Sequence, residues 1–373
     1  MAVCFITITI SGYAVAAKYK IGAIFAATGP AAALGVPEKN TAEMLMKQIN
    51  DAGGINGNEL EIVILDTATD ATTARTRVEK LIASDVAAIV GPSTSGVSMS
   101  ILDLVQNAEI PLVSCAAAVT IVEPVDERKW VFKTPQSDVL MVQVIADYLK
   151  SLNISKVGII TATGGFGSSG KTVLMDILPK AGIEIVQAEE FAETDTDALV
   201  QLTKIKNANP GAVVCWSIQD GGATVTKDMK TNLGMEIPLI MSHGVANMKY
   251  ISLSGDAANG VVFPVGKLPV ASDLPDSDPQ KELLLKYAED YEAAYGSAPN
   301  TFGGHAWDAV QLVVKAMEKV GDDKDKIREE LENTKEFVGT GGIFNFSPTD
   351  HNGLTKQGVT MVKIVDGEWT LLK

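Results

Sequence analysis

The middle third of the chain repeats the plan of the first third, and few folds are compatible with such a repeat. From Lys20 the order is an apolar run KIGAIFAA, a turn TGP, a helix-like EMLMKQIND, AGG and a strand ELEIVILD. A helix TARTRVEKLIAS, a strand VAAIVG, a Ser/Thr loop, a further helix and EIPLVS follow. From Lys156 the order returns as KVGIITA, GGFG, KTVLMDILPK, AG, IEIVQAEE, TDALVQLTKIKNA, AVVCWS, a Gly loop, a helix and EIPLIMS. Strands alternating with helices of this length predict an α/β chain with two doubly wound parallel sheets. Ligands of such sheets sit at the carboxyl ends of the strands. Two sheets facing each other across those edges would form a two-lobed clamp.

At 373 residues the chain is long enough for two cores. A net charge of −15 excludes nucleic acid and anionic lipid as main partners, because both need basic patches. Any bound anion must therefore be held by local donors. Residues 1–17, MAVCFITITISGYAVAA, are apolar and end in small residues. They read as an export signal without its usual basic start, as if truncated. Cys4, Cys115 and Cys215 make no disulfide framework, and the last two read as unpaired buried thiols. His243, His305 and His351 have no metal-ligand spacing, so neither metal nor cofactor is expected.

Gly165–Thr172 fits the phosphate-loop pattern GxxxxGK[ST] after a strand and before a helix. Its counterpart in the repeat, TGPAAALG, has no lysine, and a second acid for Mg²⁺ is poorly supplied. Nucleotide binding through this loop is thus an alternative of another class. The stronger ligand candidates lie at strand ends. Ser93, Thr94 and Ser95 sit between a strand and a helix, where hydroxyls and free N–H groups hold anions. In this reading Ser93 caps the helix and Ser95 reaches the ligand. No histidine or lysine stands beside them to make a nucleophile, so no catalytic residue is expected and the chain is not read as an enzyme. The turn Ser114–Ala118 lets the backbone approach closely, with N–H groups at Ala116 and Ala118. In the second half Phe166, Trp216 and His243 end successive strand runs and would close an aromatic lid over an apolar body. Phe302, His305 and Trp307 are further candidates, with His305 and Trp307 read as helix packing.

At these loops the chain resembles the type I periplasmic solute-binding proteins of ABC importers, in particular the branched-chain amino acid (leucine/isoleucine/valine) binding family. IGAIFAATGPAAALG, INDAGGINGNELEIVILDTATD, AAIVGPSTSG, GGFGSSG, GDAANGVVF and FVGTGGIFNFSPTDHNGL carry the resemblance, from about Lys20 to the C-terminus. It implies two lobes joined by a three-strand hinge, with lobe one at 18–136 plus 268–346 and lobe two at 137–267 plus 347–373. It also implies a ligand carboxylate held by Ser95 and the turn at Ala116 and Ala118, where Ala118 replaces a frequent threonine. Phe166 falls where the family has a tyrosine, and a further aromatic falls on Trp216. His243 falls where amino acid binders place an acid near the α-ammonium. A buried ammonium without a carboxylate is costly, so an aromatic or other hydrophobic acid is the expected ligand, with branched-chain amino acids as the alternative. The resemblance further implies hinge closure, delivery to a membrane permease and an extracytoplasmic location. A sensor domain could use the same clamp.

Overall fold

The computed structural model describes residues 18–372. The apolar segment 1–17, read above as an export signal, lies outside them. The first half builds β1 (Lys18–Phe25), α1 (Ala32–Asp51), β2 (Glu59–Asp66), α2 (Ala71–Ala83), β3 (Ala88–Val90), α3 (Ser95–Asn107), β4 (Leu112–Ser114) and β5 (Val131–Lys133). These strands form a five-stranded parallel sheet in the order β2-β1-β3-β4-β5. After α4 (Asp138–Ser151) the second half builds β6 (Lys156–Ala162), α5 (Gly165–Lys180), β7 (Glu184–Phe191), α6 (Leu199–Asn207), β8 (Ala212–Trp216), α7 (Gln219–Lys227), β9 (Leu239–Met241), α8 (Met248–Ser254) and β10 (Val262–Gly266). Its parallel core runs β10-β9-β8-β6-β7, the same winding as in the first half.

The chain then returns to the first sheet through α9 (Lys281–Tyr295), α10 (Thr301–Val320) and α11 (Lys324–Glu332), followed by the small hairpin β11 (Phe337–Val338) and β12 (Ile343–Phe344). It ends on the second sheet with β13 (Val359–Val365) and β14 (Glu368–Leu371). These two are antiparallel and joined by Asp366–Gly367, both at positive φ. That is the geometry an Asp-Gly hairpin turn requires.

Strand parity explains the cores. In β1, Ile21, Ala23 and Phe25 pack with α10 residues Val310 and Val313, whereas Ile24 joins Val78 of α2 and Ile101 of α3. In β8, Val213 and Cys215 face Leu202 and Val225, whereas Ala212, Val214 and Trp216 face Met141 and Leu174. Each sheet is thus covered by helices on both faces, which is why its strands read as continuous apolar runs. Local chemistry sets the helix starts. Asp70 accepts from the Thr73 N–H at 2.7 Å and Asn300 from the Gly303 N–H at 3.1 Å.

The chain crosses between the sheets three times, and buried side chains tie the crossings together. Gln136 donates to the Gly341 carbonyl at 2.6 Å, and Asn352 donates to the Pro135 carbonyl at 2.9 Å. One boundary differs from the sequence reading. His351 stacks on Phe132 and bonds the Val131 carbonyl, and Leu354 still packs against the first core, so the segment just beyond residue 346 stays with the first lobe. A loop without periodicity gave no signal for where its packing partner changes.

Candidate functional site

The carboxyl ends of the two parallel sheets face each other, and the rims touch. A Cβ placed on Gly165, the first residue of α5, would lie 2.7 Å from Gly96 Cα near the start of α3. The missing side chains let two helix starts meet backbone to backbone. On the other side of the cleft the Asn247 amide donates to the Ala33 carbonyl at 3.0 Å. That carbonyl is free because Pro37, four residues on in α1, has no N–H to offer it. Near the first crossing, Asp138 accepts from the Val119 N–H of the first half at 3.1 Å and from the Ser169 hydroxyl of α5.

Between the rims lies a cavity of about 400 Å³ of space not filled by atoms. Leu34, Ser93, Thr94, Ser95, Cys115, Ala116, Ala117, Pro135, Phe302 and His305 line it from the first lobe, and Phe166, Ile218, His243 and Gly244 from the second. Most of this wall is apolar, with a few hydroxyl and imidazole groups among it.

The anion candidates of the first lobe lie together here. Thr94 is the N-cap residue of α3, yet among the described residues no side chain caps that helix and no acid stands in its first turn. Its opening N–H groups therefore lack the usual internal partner. Ser95 is buried, and its Oγ accepts from the Ala118 N–H at 3.2 Å while its own proton stays free to donate. The Ala116 N–H is turned to Ser114 Oγ at 3.1 Å. Ala118 itself is fully buried and supports Ser95 without lining the cavity. Ser93 corrects the sequence reading. It does not cap α3; its hydroxyl accepts from the Ala26 N–H at 2.9 Å and donates to the buried Glu38 carboxyl. Burial raises the Glu38 pKa well above the ordinary carboxyl range, against an opposing pull from the Ser93 hydroxyl.

The aromatic candidates form one cluster with unequal roles. Ring centroids lie 5.5 Å apart for Phe166–Trp216, 5.4 Å for Phe166–His243 and 5.7 Å for Trp216–His243. Phe166 and His243 line the cavity. Trp216 is 0% exposed, packs over Gly170 and backs the other two rings, so it is a support and not part of the wall. Its strand parity points it at α4 and α5. The first lobe also supplies rings: Phe302 and His305 from α10 reach the cavity, which corrects the reading of His305 as packing. Trp307 does stay outside, beside Phe337. Burial, and next their mutual repulsion with a share from Lys133, lowers His243 to a pKa of about 3; burial and Lys133 lower His305 to about 3 as well.

The corresponding helix start in the second lobe is already filled. Glu193 accepts from the Ile218 N–H at 3.1 Å and from the Ser217 hydroxyl at 2.8 Å, at the opening of α7. The phosphate-loop pattern is likewise spent. Gly165–Thr172 lie inside α5 and not in a loop before it, Lys171 pairs with Glu190 at 2.6 Å, and the Thr172 hydroxyl bonds the Ser168 carbonyl. Residues already wound into a helix make no nest for phosphates, and the nucleotide reading falls.

A family model described as periplasmic binding protein matches residues 18–368. This chain belongs to the periplasmic binding protein family. Among curated periplasmic binding proteins it is 26% identical to the Leu/Ile/Val-binding protein homolog 3 of Brucella melitensis, over 89% of this chain and 88% of that one. It is 25% identical to the leucine-, isoleucine-, valine-, threonine- and alanine-binding protein of Pseudomonas aeruginosa, over 91% and 90%. An extracellular ligand-binding receptor from Rhodopseudomonas palustris superposes with a TM-score of 0.89 at 30% identity, covering 95% of this chain and all of that one. The branched-chain amino acid transporter substrate binding protein of Streptococcus pneumoniae, solved with isoleucine, gives 0.83 at 25% identity over 94% and 97%. The fold is that of the type I periplasmic binding proteins.

Proposed function

We propose that this protein is the exported capture component of an ABC importer. It encloses a small carboxylate between its lobes and presents the closed form to a membrane permease. The observation that carries this reading is the uncapped start of α3 with Ser95 beside it, at an apolar cavity between two touching rims. Oriented N–H groups and a hydroxyl there supply the charge complement that an acidic protein lacks globally. Apolar α-amino acids come first as ligands, because the relatives described above are named for binding leucine, isoleucine and valine. Carboxylates without an ammonium, aromatic acids included, are the second reading. It is favoured by a cavity wall with no Asp or Glu. This outcome departs from the sequence reading, which put the aromatic acid first.

Calorimetry on the mature chain with leucine, isoleucine, valine, benzoate and 4-hydroxybenzoate tests both. At least one class should bind, and Ser95→Ala should weaken it by roughly tenfold to a hundredfold, the worth of a hydrogen bond to a charged group. The capture reading is lost if none of these acids binds, or if Ser95→Ala binds as the parent does.

A further inference from the structure

The polar equipment of the cavity has two parts. One is the hydroxyl and N–H set around Ser95. The other is a pair of imidazoles from different lobes, His243 after β9 and His305 in α10, only 7% and 5% exposed. Among the described residues, neither ring nitrogen of His243 has a hydrogen-bond partner, and neither does His305 Nδ1. Buried polar atoms are rarely left this way, so these nitrogens await a group that enters the cavity. Of the buried charged-type groups nearby, Lys133 is held by the Pro135 carbonyl and Glu193 by the start of α7, while Glu38 bonds Ser93 through one oxygen and leaves Oε1 without a partner.

Imidazole chemistry narrows the group. A carboxylate at this place would only accept hydrogen bonds, so it would hold an ammonium and repel a carbonyl oxygen. A neutral imidazole has one donor and one acceptor, and its tautomer decides which faces the ligand. It satisfies an oxo or hydroxyl oxygen as well as it satisfies an ammonium, and it lacks the opposite charge that would favour the ammonium.

We propose that His243 and His305 form a subsite admitting oxygen where an amino acid carries nitrogen, so that the protein binds 2-oxo and 2-hydroxy acids at least as tightly as the amino acid with the same side chain. This rests on the carboxylate-capture reading above and, within it, sets ammonium-free acids level with or ahead of the α-amino acids that the relatives' names put first.

The test is titration calorimetry of the mature chain with leucine, 4-methyl-2-oxopentanoate and 2-hydroxy-4-methylpentanoate, repeated on His243→Glu and His243→Gln. The oxo acid should match or exceed leucine in the parent. His243→Glu should shift the ratio towards leucine by at least about tenfold, while His243→Gln, which keeps a donor and an acceptor, should hold the parent's ratio within about threefold. Thermal melts identify any variant that fails to fold, and the parent's ratio then decides alone. Leucine binding more tightly than the oxo acid in the parent overturns the proposal, as does an unchanged ratio in folded His243→Glu. If no carboxylate binds the parent, benzoate included, the capture reading itself has failed and this inference goes with it.

Discussion

The starts of α3 and α7 occupy the same place in the two halves of the repeat, each following the third strand of its sheet. In the second lobe Glu193 fills that start with the protein's own carboxyl group. In the first lobe no side chain does so, and Ser95 stands at the opening instead. Equal scaffolds therefore offer unequal chemistry. A helix start closed from within is structural, and one left open is available to a solute. The comparison also shows why the anion candidates cluster in one lobe although both sheets present the same edge.

The comparison can be broken most sharply by making the first lobe imitate the second. Thr94→Asp should cap α3, leave stability equal or higher by about 1 kcal/mol, and cut carboxylate affinity by at least about a thousandfold through like-charge burial. Calorimetry and thermal melting on the same samples check both halves of that expectation.

The imidazoles, one from each lobe, sharpen it next. Both sit at about 3, well below the ordinary histidine value, so the folded protein resists protonating them while the unfolded chain does not. Their contribution is present above pH ~6.5 and is lost as pH falls from there towards ~3, by up to about 1.4 kcal/mol per pH unit for each ring. Asp308, raised by burial to about 7, works in the opposite direction over the same range. Urea unfolding of the parent against His243→Asn/His305→Asn at several pH values cancels Asp308, which both chains share. The parent should lose ground to the variant as pH falls, and parallel curves would refute the assignment.

Emptying the second lobe's helix start is a smaller perturbation. Glu193→Ala should lower stability by about 1–2 kcal/mol and change ligand affinity less than about threefold, since its helix start serves the fold. Asn247→Ser is the mildest: serine still caps α8 but cannot reach Ala33, so affinity should fall by about fivefold, one hydrogen bond's worth, with little change in melting temperature.

Much of this arrangement was legible in the residues. The repeated strand and helix order implied two sheets of one winding, and the Ser93–Ser95 and Ser114–Ala118 segments marked the anion side. Trp216 was misplaced: the sequence reading set it in the lid, whereas strand alternation along AVVCW groups it with Ala212 and Val214 against α4 and α5, behind the cavity wall. His305 was not legible, because helical periodicity alone does not say which end of α10 meets the cleft. The role of Ser93 was hidden for a related reason. Its partners are 67 and 55 positions away, and nothing local announces them.

Proline inside a helix is ordinarily reckoned a defect confined to that helix. Pro37 has a longer reach. By withholding one amide hydrogen it leaves the Ala33 oxygen seeking a donor, and the donor it finds is a side chain of the opposite lobe. A backbone imperfection in one half thus becomes a docking point for the other, and restoring regularity with Pro37→Ala would make a better helix and a poorer trap.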